Sequence, residues 1–228
     1  MTGNSMTDTV IVSGGNIQTG FALDFLEKIA EESEKRKLLM IAADKGLEFF
    51  MKTGMVPDMA VGDFDSLSAE GKKYLSSHRE IEVKRLKPEK DDSDTQSALH
   101  LAAEKGGKNI LLLGATGTRL DHVIANMELL LLGREMGLSV SIADPNNYIS
   151  LIDSGTEVKK EPQFGKYISF FPMGGDVTGL TLEGFKYPLD RHHLTASDSG
   201  LTVSNEILED RGRVTFESGT LLMIMSRD

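Results

Sequence analysis

Short, almost wholly apolar runs alternate with amphipathic stretches through the first 145 residues, and this alternation constrains the fold more than any other feature. Runs such as Ile-Leu-Leu-Leu at residues 110–113 have no polar face, which is typical of strands buried on both sides of a parallel sheet. The alternation therefore predicts an open, mostly parallel α/β sheet, whose ligands bind beyond the carboxyl ends of the strands. Strands are predicted at residues 9–13, 38–43, 59–61, 81–86, 109–113 and 138–143, and helices at 18–35, 45–51, 69–76, 95–105 and 120–136.

The pattern changes after Asp-Pro-Asn-Asn at residues 144–147, a turn-rich stretch that suits a domain boundary. From Tyr148 onward no helical periodicity is found, and short β-prone runs are separated by Gly, Pro, Asp and Asn. This pattern predicts a smaller all-β sandwich or barrel, and we therefore expect two domains, 1–145 and 146–228. Strands of the second domain are predicted at 148–152, 167–171, 180–182, 201–203, 213–216 and 221–225.

The charge balance narrows the range of partners. The chain has 25 basic and 35 acidic residues, a formal net charge of −10, and no dense Lys/Arg block. Such a surface repels phosphate backbones, so no nucleic-acid partner is expected. No apolar run approaches the ~20 residues that span a bilayer, and the N-terminal residues lack the pattern of a signal peptide. With no cysteine in the sequence, we expect a cytoplasmic protein without a membrane partner.

Two acidic residues, Asp63 and Asp65, follow a short predicted strand in the segment Gly-Asp-Phe-Asp-Ser at residues 62–66. If the chain is still extended there, both carboxylates point to the same side. Converging carboxylates are costly unless a cation or proton joins them, and hard oxygen ligands suit Mg²⁺. A solvated Asp-rich turn is the alternative interpretation. The spacing does not match an EF-hand loop, because Ser68 and Tyr74 stand where Gly and Glu are needed.

A second acidic group, Lys-Asp-Asp-Ser-Asp at residues 90–94, opens a predicted helix. Acidic residues are common at helix starts as caps and dipole partners, although three Asp in four residues exceed what a cap needs. Together with the first pair, this group predicts a metal site shared by two loops.

The segment Gly-Ala-Thr-Gly-Thr-Arg-Leu-Asp-His at residues 114–122 runs from a buried strand into a helix. Small residues let backbone N–H groups approach phosphates at a helix start, although the segment is not a Walker A loop. Arg119, His122 and Asn126 form one polar stripe on this helix. An Arg suits charge on a transferring phosphoryl group, and Asp121 is a reasonable base for a hydroxyl. A purely structural glycine turn and capped helix is the alternative.

Two further turns repeat this pattern weakly, Ser-Gly-Gly-Asn at residues 13–16 and Asp-Lys-Gly at 44–46. All five segments follow predicted strands or precede predicted helices. They are therefore expected at one edge of the sheet.

In this order, the segments 43–46 (Ala-Asp-Lys-Gly), 62–66, 91–94, 114–122 and 203–206 (Val-Ser-Asn-Glu) resemble the motifs of thiamine pyrophosphokinases. The resemblance covers nearly the whole chain, including the order of the two domains. It implies transfer of a pyrophosphoryl group from ATP to the hydroxyl of thiamine, giving thiamine diphosphate and AMP. It also implies a homodimer with an active site between the α/β domain of one subunit and the β domain of the other.

The resemblance also implies roles for individual residues. Asp63, Asp65 and Asp94 would hold Mg²⁺, Asp121 would orient or deprotonate the thiamine hydroxyl, and Ser204 and Asn205 would contact thiamine. Catalysis would rest on the three metal-binding carboxylates together with Arg119 and Asp121. The residues assigned to ATP are Gly15, Asn16, Asp44, Lys90, Asp91, Thr116, Gly117, Arg119 and His122.

The chain departs from the family pattern in two respects. Some members stack the thiamine pyrimidine on a Trp, and this chain has none. Lys45 stands where the family often has glycine.

Two other functions are weighed against this one. Asp63 and Asp65 resemble the paired aspartates of phosphohydrolases of the haloacid dehalogenase type, in which the first is phosphorylated. That motif normally lies on the first strand and has Thr or Val where this chain has Leu67. The other alternative is a nucleotide-sensing dimer without turnover, against which the full set of acidic residues and Arg119 argue.

Overall fold

The computed structural model describes residues 6–32, 37–87, 92–117, 119–198 and 200–228. The described chain divides into two compact units, residues 6–145 and 146–228. Within the described residues, no helix is both long enough and apolar enough to cross a lipid bilayer.

The first unit, hereafter the α/β unit, contains six parallel strands in the order β4-β3-β2-β1-β5-β6. Its central strands are buried throughout, because Val10, Ile11 and Val12 of β1 have no exposed surface and β5 is nearly as well covered. The strands are β1 (Thr9–Val12), β2 (Leu39–Ala43), β3 (Met59–Gly62), β4 (Glu82–Arg85), β5 (Asn109–Leu113) and β6 (Ser139–Ala143).

The order of the strands reverses at β1, which pairs with β2 on one side and with β5 on the other. The chain builds the sheet outward from β1 to β4 and then returns to add β5 and β6 on the opposite side. This gives the sheet a topological switch point between β1 and β5, where such folds place their ligands.

In the described part of this unit, five helices accompany these strands. They are α1 (Thr19–Glu32), α2 (Leu47–Thr53), α3 (Ala69–Ser77), α4 (Asp94–Glu104) and α5 (Leu120–Glu135). A 3-10 turn, Asp44–Gly46, precedes α2. Ser68 and Ser93 cap α3 and α4, since each hydroxyl accepts a backbone N–H bond from three residues later at 3.1 Å.

The second unit, hereafter the β unit, is a sandwich of two antiparallel sheets with strand orders β7-β13-β9 and β11-β10-β12-β8. Alternate residues of β9 and β13, among them Phe170 and Met223, share one core with Leu180 and Val214 from the other sheet. The strands are β7 (Asn147–Ile152), β8 (Thr156–Lys159), β9 (Tyr167–Pro172), β10 (Val177–Glu183), β11 (Leu189–Leu194), β12 (Arg211–Thr215) and β13 (Leu221–Ser226).

The predicted fold class, a mostly parallel α/β sheet followed by an antiparallel all-β sheet domain, is confirmed. One predicted strand, at residues 201–203, is wrong. That segment is a turn, closed by a 3.0 Å bond from Leu201 N–H to the Asp198 carbonyl and followed by Ser204 at a φ of 56°. Strands β8 and β11 were not predicted, because their many charged and histidine residues leave too few apolar positions to mark a strand.

Candidate active site

The turns that follow β1 and β5 pack against each other at the switch point. Ser13 N–H donates to the Leu113 carbonyl at 2.8 Å, and Gly15 N–H donates to the Gly114 carbonyl at 3.0 Å. A Cβ on Gly15 would lie 2.3 Å from the Gly114 oxygen, so no larger residue fits there without a backbone shift. Gly114 itself has a φ of 66°, which favours glycine.

Four of the residues predicted to bind ATP lie on these two turns, namely Gly15, Asn16, Thr116 and Gly117. Gly15, Asn16 and Gly117 are exposed, and Thr116 is half-buried. A Cβ on Gly117 would lie only 3.5 Å from Gly15 Cα, so the two turns form one continuous surface. The structure therefore brings these four predicted residues together.

The start of α4 contacts the turn after β1. Thr95 is buried, and its hydroxyl donates to the Ser13 hydroxyl at 3.0 Å, which joins α4 to the end of β1. Asp94, the first residue of the helix, is half-buried beside this contact, while the cap itself is Ser93. Asp94 is thus not needed as the cap. The predicted ATP-binding residues Lys90 and Asp91 lie outside the described residues.

The loop that carries Asp63 and Asp65 is not extended, and this part of the prediction is wrong. Phe64, between them, has a φ of 64° and turns its ring into the core, where it is 3% exposed. The Asp63 carboxylate accepts the backbone N–H of Asp65 at 3.0 Å, which closes a tight turn. The chain therefore forms a turn here, held by the buried Phe64 ring, and does not continue as a strand.

Asp63 and Asp65 nevertheless line one surface cavity of about 440 Å³. Lys72 and Arg85 line the same cavity, and the Arg85 guanidinium lies 5.4 Å from the centre of the Phe64 ring. Two carboxylates and two cations thus surround one space. Lys72 and Arg85 could not be predicted as site residues, because neither belongs to a motif.

Asp44 is tied to this loop from β2. The Ser66 hydroxyl donates to Asp44 Oδ2, whereas Asp44 Oδ1 is buried and has no hydrogen-bond partner among the residues that the structure describes. Asp44 has a φ of 44°, and a Cβ on Gly62 would lie 3.0 Å from its Cα. The 3-10 turn and the end of β3 are therefore in close contact.

Glu48 of α2 fixes the far end of the same loop. Its carboxylate accepts the backbone N–H of Ser68 at 3.0 Å, and its side chain is only 13% exposed. This backbone hydrogen bond holds the pKa of Glu48 below its usual value, against the opposing effect of burial. No motif had marked Glu48.

Arg119 and Asp121 form an ion pair at the start of α5. The Arg119 Nη2–Asp121 Oδ2 distance is 2.5 Å and the Nε–Oδ1 distance is 3.2 Å. The hydrogen bond from Arg119 lowers the pKa of Asp121, and the same bond raises the pKa of Arg119. Both side chains are largely exposed.

The predicted polar stripe on α5 divides into two parts. His122 is exposed next to the ion pair, and its backbone N–H donates to Asp121 Oδ1 at 3.0 Å. Asn126 is buried, and its Nδ2 donates to the Ala115 carbonyl at 2.7 Å. Asn126 therefore contacts the turn after β5 and is separated from the exposed His122.

In the β unit, the predicted pair Ser204 and Asn205 differ sharply. Ser204 is exposed, and its backbone N–H donates to the Ser169 hydroxyl at 3.0 Å. Asn205 is 1% exposed, and its amide forms three bonds of 2.8–3.0 Å with the N–H and carbonyl of Tyr187 and the N–H of Glu206. Asn205 thus fastens the loop that presents Ser204.

Next to Asn205, the Glu206 carboxylate pairs with Lys186 at 2.9 Å and with Lys166 at 3.4 Å. The hydrogen bonds from these lysines lower the pKa of Glu206. Tyr187, beside this group, is 54% exposed.

Asp63, Asp65 and Asp94 of the α/β unit are the predicted ligands for Mg²⁺. Among the described residues, no three acidic or histidine side chains converge on one point, so Asp63, Asp65 and Asp94 form no preassembled three-carboxylate site. Mg²⁺ in phosphate-transfer sites is usually held by one or two carboxylates, with water and substrate phosphates completing its shell. Asp63 and Asp65 on one cavity, with the unpartnered oxygen of Asp44 nearby, fit an ion that arrives with a nucleotide.

Glycine turns at the switch point of a parallel sheet, carboxylates at its carboxyl edge and a separate β sandwich define a two-unit α/β–β protein of phosphate-transfer type. Residues 30–142 match the family described as thiamin pyrophosphokinase, catalytic domain, and residues 155–221 match thiamin pyrophosphokinase, vitamin B1 binding domain. The chain therefore belongs to the thiamin pyrophosphokinase family, and it is an enzyme, a transferase of the kinase type.

Individual relatives agree with this membership. The chain is 36% identical over 190 residues to thiamine pyrophosphokinase of Bacillus subtilis, an alignment that covers 83% of this chain and 88% of that protein. The crystal structure of thiamine pyrophosphokinase from B. subtilis matches 96% of this chain and 99% of its own with a TM-score of 0.81 and 33% identity. The crystal structure of thiamin pyrophosphokinase from Geobacillus thermodenitrificans covers 96% of this chain and 97% of its own, with a TM-score of 0.79 and 32% identity.

Proposed function

We propose that this chain transfers the pyrophosphoryl group of ATP to the hydroxyl of thiamine, giving thiamine diphosphate and AMP in thiamine diphosphate biosynthesis. The observation that carries the proposal is the match of both family domains, each to a separate unit of the fold. The α/β unit carries the phosphate-facing turns and carboxylates, and the β unit carries the vitamin B1 match.

The ATP phosphates bind at the turns after β1 and β5, against Gly15, Asn16, Thr116 and Gly117. The tight packing of Gly15 on Gly114 keeps side chains away from this surface, so that backbone groups can approach phosphate oxygens. Asp44, Lys90, Asp91 and His122 complete the proposed ATP contacts.

Asp63, Asp65 and Asp94 would hold a Mg²⁺ ion that arrives with the nucleotide, and the bound ion would neutralise charge on the phosphate oxygens. Ser66 and Glu48 keep the Asp63–Asp65 turn in place through their bonds to Asp44 and Ser68. Because the turn is anchored on both sides, its carboxylates need little reorganisation when the nucleotide arrives.

Asp121 accepts the proton of the thiamine hydroxyl, whose oxygen attacks the β-phosphorus of ATP. The bond from that phosphorus to the oxygen bridging it to the α-phosphate breaks, and AMP leaves with this oxygen. Arg119 stabilises charge on the transferring group. Arg119 must leave Asp121 to reach a phosphate, and this exchange frees the Asp121 carboxylate to face the hydroxyl.

Thiamine is bound by the β unit, with Ser204 in direct contact and Asn205 shaping the loop beneath it. We further propose a homodimer in which the α/β unit of one subunit and the β unit of its partner complete each active site. A cytoplasmic location is proposed on the support of a chain without cysteine.

The test is to incubate the purified protein with ATP, Mg²⁺ and thiamine, and to separate the nucleotide and thiamine products by chromatography. AMP and thiamine diphosphate should appear in equal amounts, and neither should form when thiamine or Mg²⁺ is omitted. Phosphate release that does not depend on thiamine would indicate a phosphatase, and nucleotide binding without turnover would indicate a sensor. Size-exclusion chromatography with light scattering tests the dimer.

A further inference from the structure

Asn126 is the only asparagine among the buried side chains described in the α/β unit, and it contacts the turn after β5 from beneath. Its Nδ2 donates to the Ala115 carbonyl at 2.7 Å, joining the second turn of α5 to the residue that follows Gly114. A main-chain carbonyl can only accept, so the atom that faces it must be the amide nitrogen. Ala115 is itself buried, at 3% exposure.

This bond fixes the orientation of one peptide plane. In a trans peptide the carbonyl of one residue and the N–H of the next point in opposite directions. With the Ala115 carbonyl directed inward to Asn126, the N–H of Thr116 is directed away from α5. Within the described part of the chain, that N–H donates to no other group.

We propose that Asn126 is a positioning residue for nucleotide binding, which holds the Ala115 carbonyl inward so that the Thr116 N–H points to a phosphate oxygen of ATP. This inference rests on the proposed function, because it names the residue that orients the proposed phosphate contact. Asn126 acts through Ala115 and does not touch the nucleotide.

The test compares Asn126→Asp and Asn126→Leu with the unchanged protein. At pH 8 the carboxylate of Asn126→Asp faces the Ala115 carbonyl with no proton to donate, so the peptide plane rotates or loses its partner. Asn126→Leu has the same branching at Cγ and keeps the site uncharged, so it carries the test if the charged variant fails to fold. Binding of a non-hydrolysable ATP analogue with Mg²⁺ is measured by calorimetry, and KM is measured for both substrates.

We expect the dissociation constant for the analogue and the KM for ATP to rise at least tenfold at pH 8 in both variants, with the KM for thiamine changed less than twofold. Lowering the pH to 5.5 should protonate the buried carboxyl of Asn126→Asp and restore a donor. The ratio of its dissociation constant to that of the unchanged protein should then fall at least threefold, while the ratio for Asn126→Leu stays constant.

Tyr74→Phe is the matched control, because the Tyr74 hydroxyl donates to the Met55 carbonyl at 2.6 Å elsewhere in the same unit. Its nucleotide affinity should be unchanged. Folded Asn126 variants with normal ATP affinity, or with equal increases in KM for ATP and thiamine, would overturn the positioning role and leave the proposed function intact. Failure of the unchanged protein to bind the analogue would instead refute the proposed function.

Discussion

Arg119 donates two hydrogen bonds to the carboxylate of Asp121, at 2.5 and 3.2 Å. Arg119, proposed for phosphate stabilisation, and Asp121, proposed for proton transfer, are therefore hydrogen-bonded to each other when no substrate is bound. Ion pairs as exposed as this one contribute little to stability, so phosphate oxygens can compete for the guanidinium. Under the proposed mechanism, this pair would be the arrangement before ATP binds, and ATP would release the carboxylate.

Replacing Asp121 by Asn should remove proton transfer but leave the fold unchanged, because the side chain is exposed. We expect kcat to fall by about 10²–10⁴-fold, the range that general bases contribute. Binding of an ATP analogue with Mg²⁺ should persist. Steady-state kinetics and calorimetry check the two parts, and a kcat within threefold of normal would contradict the role of Asp121.

Removing Arg119 should raise the pKa of Asp121. The hydrogen bond from Arg119 is the largest cause of the lowered pKa, so Arg119→Ala lets the pKa of Asp121 return toward the usual value of an exposed aspartate. The Asp121 carboxyl is then protonated at higher pH than in the unchanged protein. Carbon-13 NMR of the carboxyl in the free protein measures this midpoint.

Arg211→Ala serves as the control for that titration, because Arg211 pairs with Glu157 in the β unit at 3.0 Å. Its Asp121 midpoint should match that of the unchanged protein. Equal midpoints in all three proteins would mean that the ion pair does not persist in solution.

Asp65→Asn should abolish turnover while the protein stays folded. The Asp65 side chain is exposed, and its contribution to the turn is the backbone N–H that Asp63 accepts. A loss of activity therefore reflects the carboxylate. Circular dichroism and the AMP assay are measured together, with Glu82→Gln, an exposed carboxylate on β4 that pairs with Lys105, as the control. Near-normal turnover in Asp65→Asn would refute the metal assignment.

Glu48→Gln should lower the free energy of unfolding by about 1 kcal/mol at pH 7, because a charge-assisted bond to Ser68 becomes a neutral one. The folded-state pKa of Glu48 lies below its unfolded value. Its stabilising effect is therefore present above the unfolded pKa and is lost as pH falls through the folded one. The difference from the unchanged protein should shrink toward pH 3 in urea unfolding curves, and a constant difference would contradict this assignment.

Ser204 and Asn205 should respond differently to truncation. Asn205→Ala removes three hydrogen bonds to backbone, so we expect a loss of roughly 2–4 kcal/mol in stability.

Ser204→Ala should leave the Tm unchanged and raise the KM for thiamine roughly fivefold, the factor that about 1 kcal/mol represents. Thermal unfolding and kinetics separate the two. A stable Asn205→Ala variant would show that its bonds are dispensable.

The fold class could be predicted because burial on both faces leaves a direct trace in the sequence. The run at residues 110–113 is apolar throughout, and it lies within β5. Strand β11 has no such trace, since Leu189-Asp-Arg-His-His-Leu194 buries only its last residue fully. Sequence patterns therefore identify strands of the core and lose those at the surface of a small sandwich.

The sequence motifs predicted which residues belong to the candidate site better than they predicted how those residues are arranged. The positions of Asp63 and Asp65 were marked by their motif, but the turn between them depends on Phe64 finding a place in the core. The same holds for Asn126, whose place in a polar stripe did not indicate its hydrogen bond to the Ala115 carbonyl. Such outcomes depend on residues distant in sequence, and local patterns do not carry them.

The contact between Gly15 and Gly114 limits how this enzyme can be engineered. A side chain at Gly15 collides with the Gly114 oxygen at 2.3 Å, and one at Gly114 meets the Ser13 oxygen at 2.6 Å. Neither position can be diversified alone or with the other in a mutant library. Efforts to change nucleotide preference should therefore randomise the exposed neighbours Asn16 and Gly117, where the backbone leaves room for new chemistry.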